Sequence, residues 1–430
     1  MRSLIVFTLW LLLPVSGFAA DELNGANTAW ILTSTALVLF MTLPGLALFY
    51  GGLVRDKNVL SILIQCFAIS GIASILWLVV GYSLAFDAGS GFVGGFGKVL
   101  FAGMGENTLQ GDIPESLFAL FQMTFAIITP ALIIGGYAER TRFAAVVLFS
   151  ALWLIVVYAP VTHWVWGGGW LQEMGLLDFA GGTVVHITAG VAALVAALVI
   201  GPRNSFGKAA ATPHNMTMTI SGAGMLWVGW FGFNGGSALA ANGDAAMAML
   251  VTHISAATAA MVWMFMEWMR FGKSTALGTV TGMVAGLGTI TPASGFVGPA
   301  GALVIGLLAG LVCFNATIFI KQKLKIDDSL DVFPVHGVGG IIGTLLAGVF
   351  ASTSLGLFSG QGFLKDSITG IGQQLTVQAI GVAATIAYTA IATFILLKIV
   401  AVLTGGLRVT ADEESQGLDI VDHEERGYDM

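Results

Sequence analysis

Long apolar stretches separated by short polar segments recur along the whole chain. Each stretch is about 20 residues long, the length at which an α-helix crosses the hydrocarbon core of a bilayer. The pattern therefore predicts an all-α polytopic membrane protein with eleven membrane-spanning helices. The predicted spans cover residues 28–52, 60–85, 117–138, 143–165, 180–201, 216–239, 245–269, 275–292, 297–320, 333–351 and 374–404.

A further apolar run lies at the N-terminus, before the first of these spans. Arg2 precedes the run Leu4–Pro14, and small residues follow at Gly17 and Ala19, as they do at a signal-peptidase cleavage site. We expect residues 1–20 to be a cleaved signal peptide, with a retained first helix as the alternative. The chain then divides into this signal peptide, a membrane domain over residues 21–404 and a C-terminal tail over residues 405–430.

The basic residues indicate how the spans are oriented. Leaving Arg2 aside, the loops of one side and the tail hold 14 Lys and Arg residues, whereas the other side holds only Lys98 and Lys365. Positive charge accumulates on cytoplasmic loops, so we expect the tail in the cytoplasm and the mature N-terminus outside. An odd number of spans gives the same result, because it puts the two ends of the chain on opposite sides.

The composition agrees with this class and argues against several others. Hydrophobic residues make up 56% of the chain and charged residues 10%, which is too apolar for a soluble protein of this length. The net charge of −7 resides mostly in the acidic tail, and no basic surface suggests a nucleic-acid partner. Cys66 and Cys313 both lie in apolar segments, so we expect them to pack there, with no disulfide and no metal site. No cofactor is expected.

Eleven spans divide into five, five and one, and the two groups of five would then run in opposite directions. Transporters built from inverted repeats have this layout, with the substrate site at the interface between the repeats. His186 in span five and His336 in span ten occupy equivalent places in the two groups. Each follows an aspartate, Asp178 by eight residues and Asp331 by five.

The two histidines are the chemically distinctive residues of the spans. No Asp, Glu, Lys or Arg lies in the middle of a predicted span, and dehydrating a permanent ion there would cost on the order of 20 kcal/mol in the idealised limit. The spans therefore favour a neutral molecule, or an ion that can release its proton. A neutral imidazole donates at one nitrogen and accepts at the other, so two rings in contact could pass a proton.

The alternative for each histidine is a hydrogen bond to a neighbouring helix. We favour that interpretation for His253 in span seven, which lacks a counterpart in the other half. His163, near the outer end of span four, is expected at the membrane interface.

Aromatic residues cluster in the same part of the chain. Phe121 and Phe125 lie four residues apart on one helix face, and Trp166 lies at the end of span four. Aromatic faces attract ammonium-type cations, an interaction worth up to about 2 kcal/mol when desolvated. An interfacial aromatic belt is the alternative. It accounts for Trp166 better than for Phe125 and Phe233, which lie deeper in their spans.

Several stretches resemble the ammonium transporter family, which includes bacterial Amt proteins, fungal Mep proteins and, more distantly, Rhesus proteins. The resemblance extends over about residues 29–419 and is carried by "FQMTFA", "YAERTRF", "WVWGGGW", "DFAGGTVVHITAG", "GWFGFNGGS" and "DVFPVHGVGGIIG". It implies a homotrimer in a bacterial cytoplasmic (inner) membrane, with a separate pore in each subunit.

The resemblance also implies roles for individual residues. An outer site that recruits ammonium is expected at Phe121, Phe125, Trp166 and Ser237. Phe125 and Phe233 match a stacked ring pair that closes the pore. His186 and His336 match a histidine pair that lines it. Asp178 is expected to cap the helix of span five, as a structural residue and not as a ligand.

Together these observations predict a transporter of ammonium. Ammonium would lose its proton near the phenylalanine pair, ammonia would cross the apolar pore, and the proton would follow through the histidines, so that net positive charge moves. The alternatives are a passive ammonia channel of the Rhesus type and an ammonium sensor that a cytoplasmic partner detects. The "GLRV" and "GLD" of the tail resemble part of a docking surface for a PII-type nitrogen-regulatory protein. An enzyme is not expected, because the sequence shows no nucleophile–base pair, metal-binding spacing or phosphate-binding loop.

Overall fold

Long helices account for most of the computed structural model, which describes residues 22–208 and 212–428. An α-helix satisfies its backbone hydrogen bonds internally, as an apolar chain in lipid requires. The helices are α1 Gly25–Leu53, α2 Asp56–Phe86, α3 Glu115–Tyr137, α4 Phe143–Glu173, α5 Gly182–Ile200, α6 Met216–Gly236, α7 Gly243–Phe271, α8 Ala276–Ala293, α9 Pro299–Lys323, α10 Phe333–Phe350 and α11 Ile371–Leu403.

Several short elements lie between and after the long helices, including two 3-10 turns, Val99–Phe101 and Gly356–Phe358. Two-residue strands, β1 (Leu109–Gln110) and β2 (Ile113–Pro114), pair antiparallel just before α3. Two short helices, α12 (Ala411–Gln416) and α13 (Leu418–His423), follow α11 in the tail. The predicted signal peptide, residues 1–20, lies outside the described residues.

Ten of the long helices within the described residues are both long enough and apolar enough to cross a membrane. The helix α6 coincides with the predicted span 216–239 but is not one of the ten. Its sequence includes six glycines together with Thr, Ser and Asn residues, which lower its hydropathy. The polytopic helical class is therefore confirmed, and the eleventh span remains a prediction.

The helices pack in two groups whose neighbours correspond. In the first group α2 contacts α3 and α4, and α5 contacts α3; in the second α7 contacts α8 and α9, and α10 contacts α8. Between the groups α1 packs on α6, and α5 packs on the start of α10. α11 lies outside this arrangement, against α4, α5 and α10. The correspondence supports the predicted division into five, five and one.

Buried ion pairs hold together the end of the bundle that carries the tail, which we call the tail end. The Arg203 guanidinium lies 2.8 Å from Asp327 and 2.6 Å from Glu139. Glu139 also accepts from Arg55 Nε at 2.8 Å. Arg140 is fully buried and donates to the Ser329 hydroxyl and to the carbonyl oxygens of Gly136, Ala138, Gly201 and Asp327. The network joins the segments that follow α1, α3, α5 and α9, so it fixes helices from both groups.

The tail packs against this same end. Asp419 is buried and accepts the backbone N–H groups of Leu60 (3.1 Å) and Ser61 (2.7 Å), at the start of α2. Glu414 is also buried and accepts the N–H of Asn204 at 2.7 Å. A carboxylate at a helix N-terminus satisfies N–H groups that have no partner within the helix. The described part of the tail is therefore ordered and belongs to the fold.

We expect Glu139→Gln to lower the thermal unfolding midpoint of the detergent-solubilised protein at neutral pH. Burial alone would raise the pKa of Glu139, but Arg203 and Arg55 outweigh it and hold the pKa at about 2. The charged carboxylate is thus favoured in the folded state, and removing one partner of a buried pair costs about 3–5 kcal/mol. Because an unfolded Glu titrates near pH 4.3, the contribution is complete above about pH 5 and is lost as the pH falls towards 2.

The difference between Glu139→Gln and the wild type should therefore shrink over that acidic range. Glu106→Gln, at an exposed position, is the matched control and should unfold like the wild type. Equal midpoints for the two variants at pH 7 would show that the ion pairs do not stabilise the bundle.

Candidate functional site

Two equivalent helices, α5 and α10, position the histidine pair. Each begins with a wide π-helical turn, Gly182–Ile187 in α5 and Phe333–Gly337 in α10, and each turn carries its histidine. The helices cross in direct backbone contact, because a Cβ on Gly190 would overlap the backbone of Gly337. A larger residue at Gly190 would separate the helices and with them the two rings.

His186 and His336 meet at this crossing. Their Nδ1 atoms lie 3.2 Å apart and their rings are nearly parallel, with an interplanar angle of 14° and centroids 5.2 Å apart. Both side chains are buried, at 1% and 4% exposure. In a neutral pair one Nδ1 donates a hydrogen and the other accepts it, so the two rings share one hydrogen bond. Among the described residues, His186 Nε2 has no hydrogen-bond partner.

Aromatic rings continue from this pair towards the opposite end of the bundle. His186 stacks on Trp230 with centroids 5.5 Å apart, and its ring lies 6.2 Å from Phe233. Phe233 and Phe125 pack with ring centroids 4.2 Å apart and ring planes tilted by 32°, and both are almost completely buried. The rings of Phe121 and Phe125 follow, 5.1 Å apart. The structure thus brings the predicted ring pair and the predicted histidine pair into one line.

Trp166 lies at the end of this line, where the regular helical stretch of α4 ends, and we call this side the Trp166 end. Its ring is partly exposed and meets Phe125 edge to face, with centroids 5.9 Å apart. The indole Nε1 donates to the Asp178 carbonyl at 2.8 Å, which fixes the ring. Ser237 is partly exposed and donates to the Phe233 carbonyl at 2.8 Å. Three of the four predicted recruitment residues therefore contact one another, and Ser237 is tied to the ring pair.

Asp178 has the geometry of a helix cap. Its two carboxylate oxygens accept four backbone N–H groups at 2.6–3.1 Å, from the four residues Gly181, Gly182, Thr183 and Val184. Burial raises the pKa of this carboxyl, although the four N–H groups act against the shift. Each carboxylate oxygen thus accepts two N–H groups at the start of α5. The contacts support a positioning role for Asp178, as the sequence predicted.

The counterpart of Asp178 in the second half is Asp328 and not Asp331. Asp328 is fully buried and accepts the Phe333 N–H at the start of α10, at 2.7 Å. Burial, aided by the nearby Asp331, raises the pKa of Asp328 to about 7. Asp331 instead forms an ion pair with Lys321 at 2.7 Å. The sequence does contain this equivalence, since Asp178 and Asp328 both lie eight residues before their histidines.

Two cavities lie in line with the histidines. A narrow one, about 10 Å³, lies between Phe233 and the pair and is lined mainly by aliphatic and aromatic side chains. A wider one, about 590 Å³, opens at the tail end and reaches His336. Asp331, Lys321, Glu267 and Arg203 line it, so charged groups begin only beyond the pair. The narrow cavity has room for about one water molecule.

The other histidines lie away from this line. His163 is at the Trp166 end as predicted, but it is buried beneath the loop after α2, and its ring nitrogens contact the carbonyls of Ala85 (2.9 Å) and Ser90 (2.8 Å). His253 contacts the neighbouring helix through the Trp227 ring at 5.2 Å. Within residues 22–208 and 212–428, no three His, Cys, Asp or Glu side chains are grouped closely enough to hold a metal ion.

Comparison with known proteins gives a consistent result along the whole described chain. The family model described as the Ammonium Transporter Family matches residues 29–428. An ammonium transporter of Bacillus subtilis is 46% identical over 91% of this chain and 96% of its own. An ammonium transporter of Archaeoglobus fulgidus is 46% identical over 94% of this chain and 100% of its own. These relatives are named as transporters, and the family is not an enzyme family.

Solved structures agree with the fold. The crystal structure of Saccharomyces cerevisiae Mep2 is 38% identical, with a TM-score of 0.83 over 91% of this chain and 89% of that one. A structure titled Sensor Amt Protein is 31% identical, with a TM-score of 0.85 over 93% of this chain and 98% of that one. The likeness therefore covers both helix groups and the site between them.

Proposed function

The chain belongs to the ammonium transporter family, and on this basis we propose that it transports ammonium across a bacterial cytoplasmic membrane through the line of rings described above. The observation that carries the proposal is the hydrogen bond between His186 and His336, at 3.2 Å, in the uncharged middle of the helix bundle. An apolar passage on one side and a polar cavity on the other reach the same pair.

Ammonium is first held at the Trp166 end. The partly exposed Trp166 ring offers a cation–π face where water is still available, and Phe121 and Ser237 flank the entrance. Contact with such a face is worth up to about 2 kcal/mol when desolvated, which does not offset full dehydration of a cation. Recruitment is therefore favourable at this entrance, whereas passage of the intact ion beyond it is not.

The cation gives up its proton at the Phe125 and Phe233 pair. These two rings close the passage at 4.2 Å, and the cavity beyond them is apolar as far as the histidines. Ammonia is neutral and small, so it can cross this region without the dehydration cost that ammonium would meet. Movement of the two rings is then required for each passage.

The released proton follows through the histidine pair. A proton added to the bare Nε2 of one ring allows its Nδ1 hydrogen to move to the Nδ1 of the other, which releases its own Nε2 hydrogen. One proton enters and one leaves, so charge is conserved and one positive charge crosses with each ammonia. Asp178 and Asp328 position the two rings by capping the helices that carry them.

A passive ammonia channel is the alternative function, since an apolar passage by itself also conducts a neutral gas. The two differ in one measurable property: the proposed relay moves charge and the passive channel does not.

We expect His186→Ala and His336→Ala each to abolish the current that a step in ammonium concentration evokes in proteoliposomes on a solid-supported membrane. Neither remaining ring would have a partner for its Nδ1 hydrogen, so the proton route would be broken while the passage stays open. His253→Ala, on the bundle surface, is the matched control and should keep the wild-type current. Wild-type current in both pore variants would rule out the relay, and ammonia flux without any wild-type current would favour the passive channel.

We also propose that the Trp166 end faces the outside and the tail end the cytoplasm, following the distribution of basic residues. Residues 1–20 would then be a signal peptide that is removed on export, which the intact mass of the purified chain tests directly.

In intact cells, a cysteine at Gly105 should react with a membrane-impermeant maleimide, and one at Ser274 should react only after permeabilisation. Both positions are exposed, at opposite ends of the bundle, and the native Cys66 and Cys313 are buried. The cysteine at Gly105 adds no clash, because nothing lies within 4 Å of its Cβ position. Labelling in the reverse order would invert the proposed orientation.

The tail is proposed to take part in binding a PII-type regulatory protein, and the chain to form a homotrimer. The docked position of α12 and α13 supports the first proposal, because it displays an ordered acidic surface beside the polar cavity's loops.

Truncation after Thr410 should abolish co-purification with the cell's PII-type protein, because it removes both tail helices. Truncation after Arg426 keeps both helices and should retain the partner. Light scattering should give three chains per particle for both forms, since the tail contacts found here are made within one chain. Equal recovery of the partner with the two forms would exclude the tail as its binding surface.

A further inference from the structure

The helix α8 passes beside the histidine pair, and Gly288 on this helix faces both rings. A Cβ built there would lie 3.7 Å from His336 Nδ1 and 3.9 Å from His186 Nδ1, almost equally far from the two atoms that share the hydrogen bond. Both distances are ordinary van der Waals contacts. An added methyl group would therefore touch both imidazoles without displacing either.

Neither packing nor backbone conformation requires glycine at this position. Gly286, on the same helix, differs, because a Cβ there would lie 2.5 Å from the Ser255 carbonyl oxygen. Gly288 has no such crowding, and its φ lies outside the left-handed range that only glycine adopts readily. It also does not line the narrow cavity beside the pair. The missing side chain thus needs a reason other than fit.

The next residue along α8 carries a hydroxyl that points elsewhere. Thr289 Oγ1 faces Gly339, where a Cβ would lie 2.8 Å from it. It therefore lies on the side of α8 towards Gly339 and forms no hydrogen bond with either ring among the described residues. Adjacent side chains on a helix point about 100° apart, so the Thr289 hydroxyl is directed away from the histidines although Gly288 faces them.

We propose that Gly288 is a specificity-determining position of the pore, because its missing side chain keeps the hydrogen bond between His186 and His336 free of competing partners. A hydroxyl at this position would extend from a Cβ already 3.7–3.9 Å from both nitrogens and would come within hydrogen-bonding distance of either. It would then occupy a nitrogen that the shared hydrogen needs. The proposal rests on the proton relay of the proposed function.

The proposal distinguishes the proton route from the ammonia route. Gly288→Ala fills the space with a methyl group, and Gly288→Ser adds only a hydroxyl oxygen to that. A purely steric effect would therefore be similar in the two variants. A hydrogen-bonding effect would appear in the serine variant alone, and it would lower proton passage more than ammonia passage.

The test measures ammonium-evoked current and ammonia flux, by stopped-flow pH change, in proteoliposomes of the wild type and both variants. We expect the ratio of current to ammonia flux to be unchanged in Gly288→Ala and about five-fold lower in Gly288→Ser, the effect of one competing hydrogen bond of ordinary strength. If the serine variant does not assemble, Gly288→Cys replaces it, with an expected decrease of about two-fold because a thiol is a weaker partner.

The proposal would be overturned if the ratio of current to ammonia flux were the same in the alanine variant as in the serine or cysteine variant, whether or not that ratio is lower than in the wild type. An absence of current in the wild type would instead show that the relay itself is wrong. The two failures are therefore distinguished within one set of measurements.

Discussion

The close backbone crossing of α5 and α10 at Gly190 and Gly337 is the contact on which the rest of the site depends. It allows two imidazoles, 150 residues apart in the chain, to share a hydrogen bond in the middle of the bundle. The two helices must also begin at matching depths in the bundle. The buried carboxylates of Asp178 and Asp328 fix these starting points by accepting the first backbone N–H groups of α5 and α10. Small residues set how closely the helices approach, and the caps set where along them the rings lie.

The same arrangement explains where the charged residues lie. A charge near the bilayer centre is costly, so the level of the histidines is uncharged and the charged side chains collect at the ends. At the tail end they pair with one another, and Arg203 joins Glu139 to Asp327 across the two helix groups. Burying such a pair removes the hydration of both charged groups, which costs free energy. A packing that buries one partner without the other costs more, because the charge is then left uncompensated. The network therefore favours a single packing of the helix ends against which the tail docks.

In the proposed mechanism, ammonium is separated into ammonia and a proton, which take different routes through the same bundle. The proposed aromatic entrance would hold the cation where water is near, whereas the apolar passage beyond Phe125 and Phe233 would exclude a charged species. Ammonia and its proton would rejoin where the polar cavity begins, beyond His336. On this view the protein discriminates against metal cations by chemistry and not only by pore width, because they have no proton to release. The environment of the two Nδ1 atoms, including the empty space at Gly288, is then as important as the passage itself.

Hydropathy along the chain was sufficient to predict the helical membrane class and the approximate helix bounds, because these follow from local composition. The rarity of ionisable residues in apolar spans was sufficient to single out His186 and His336, which the structure places side by side. The line of rings was predicted from the family resemblance. Other features depended on contacts between distant segments. Arg140 and Arg203 were predicted only as charges that mark one face, but the structure buries both. Arg203 pairs with Glu139 and Asp327, and Arg140 donates to the Ser329 hydroxyl and to backbone carbonyls. The second cap is Asp328, whereas only Asp331 had been noted before His336 in the sequence. His163, expected at the membrane interface, is buried. Which polar groups are buried together is decided by the packing of the helices, and a linear pattern does not contain that information.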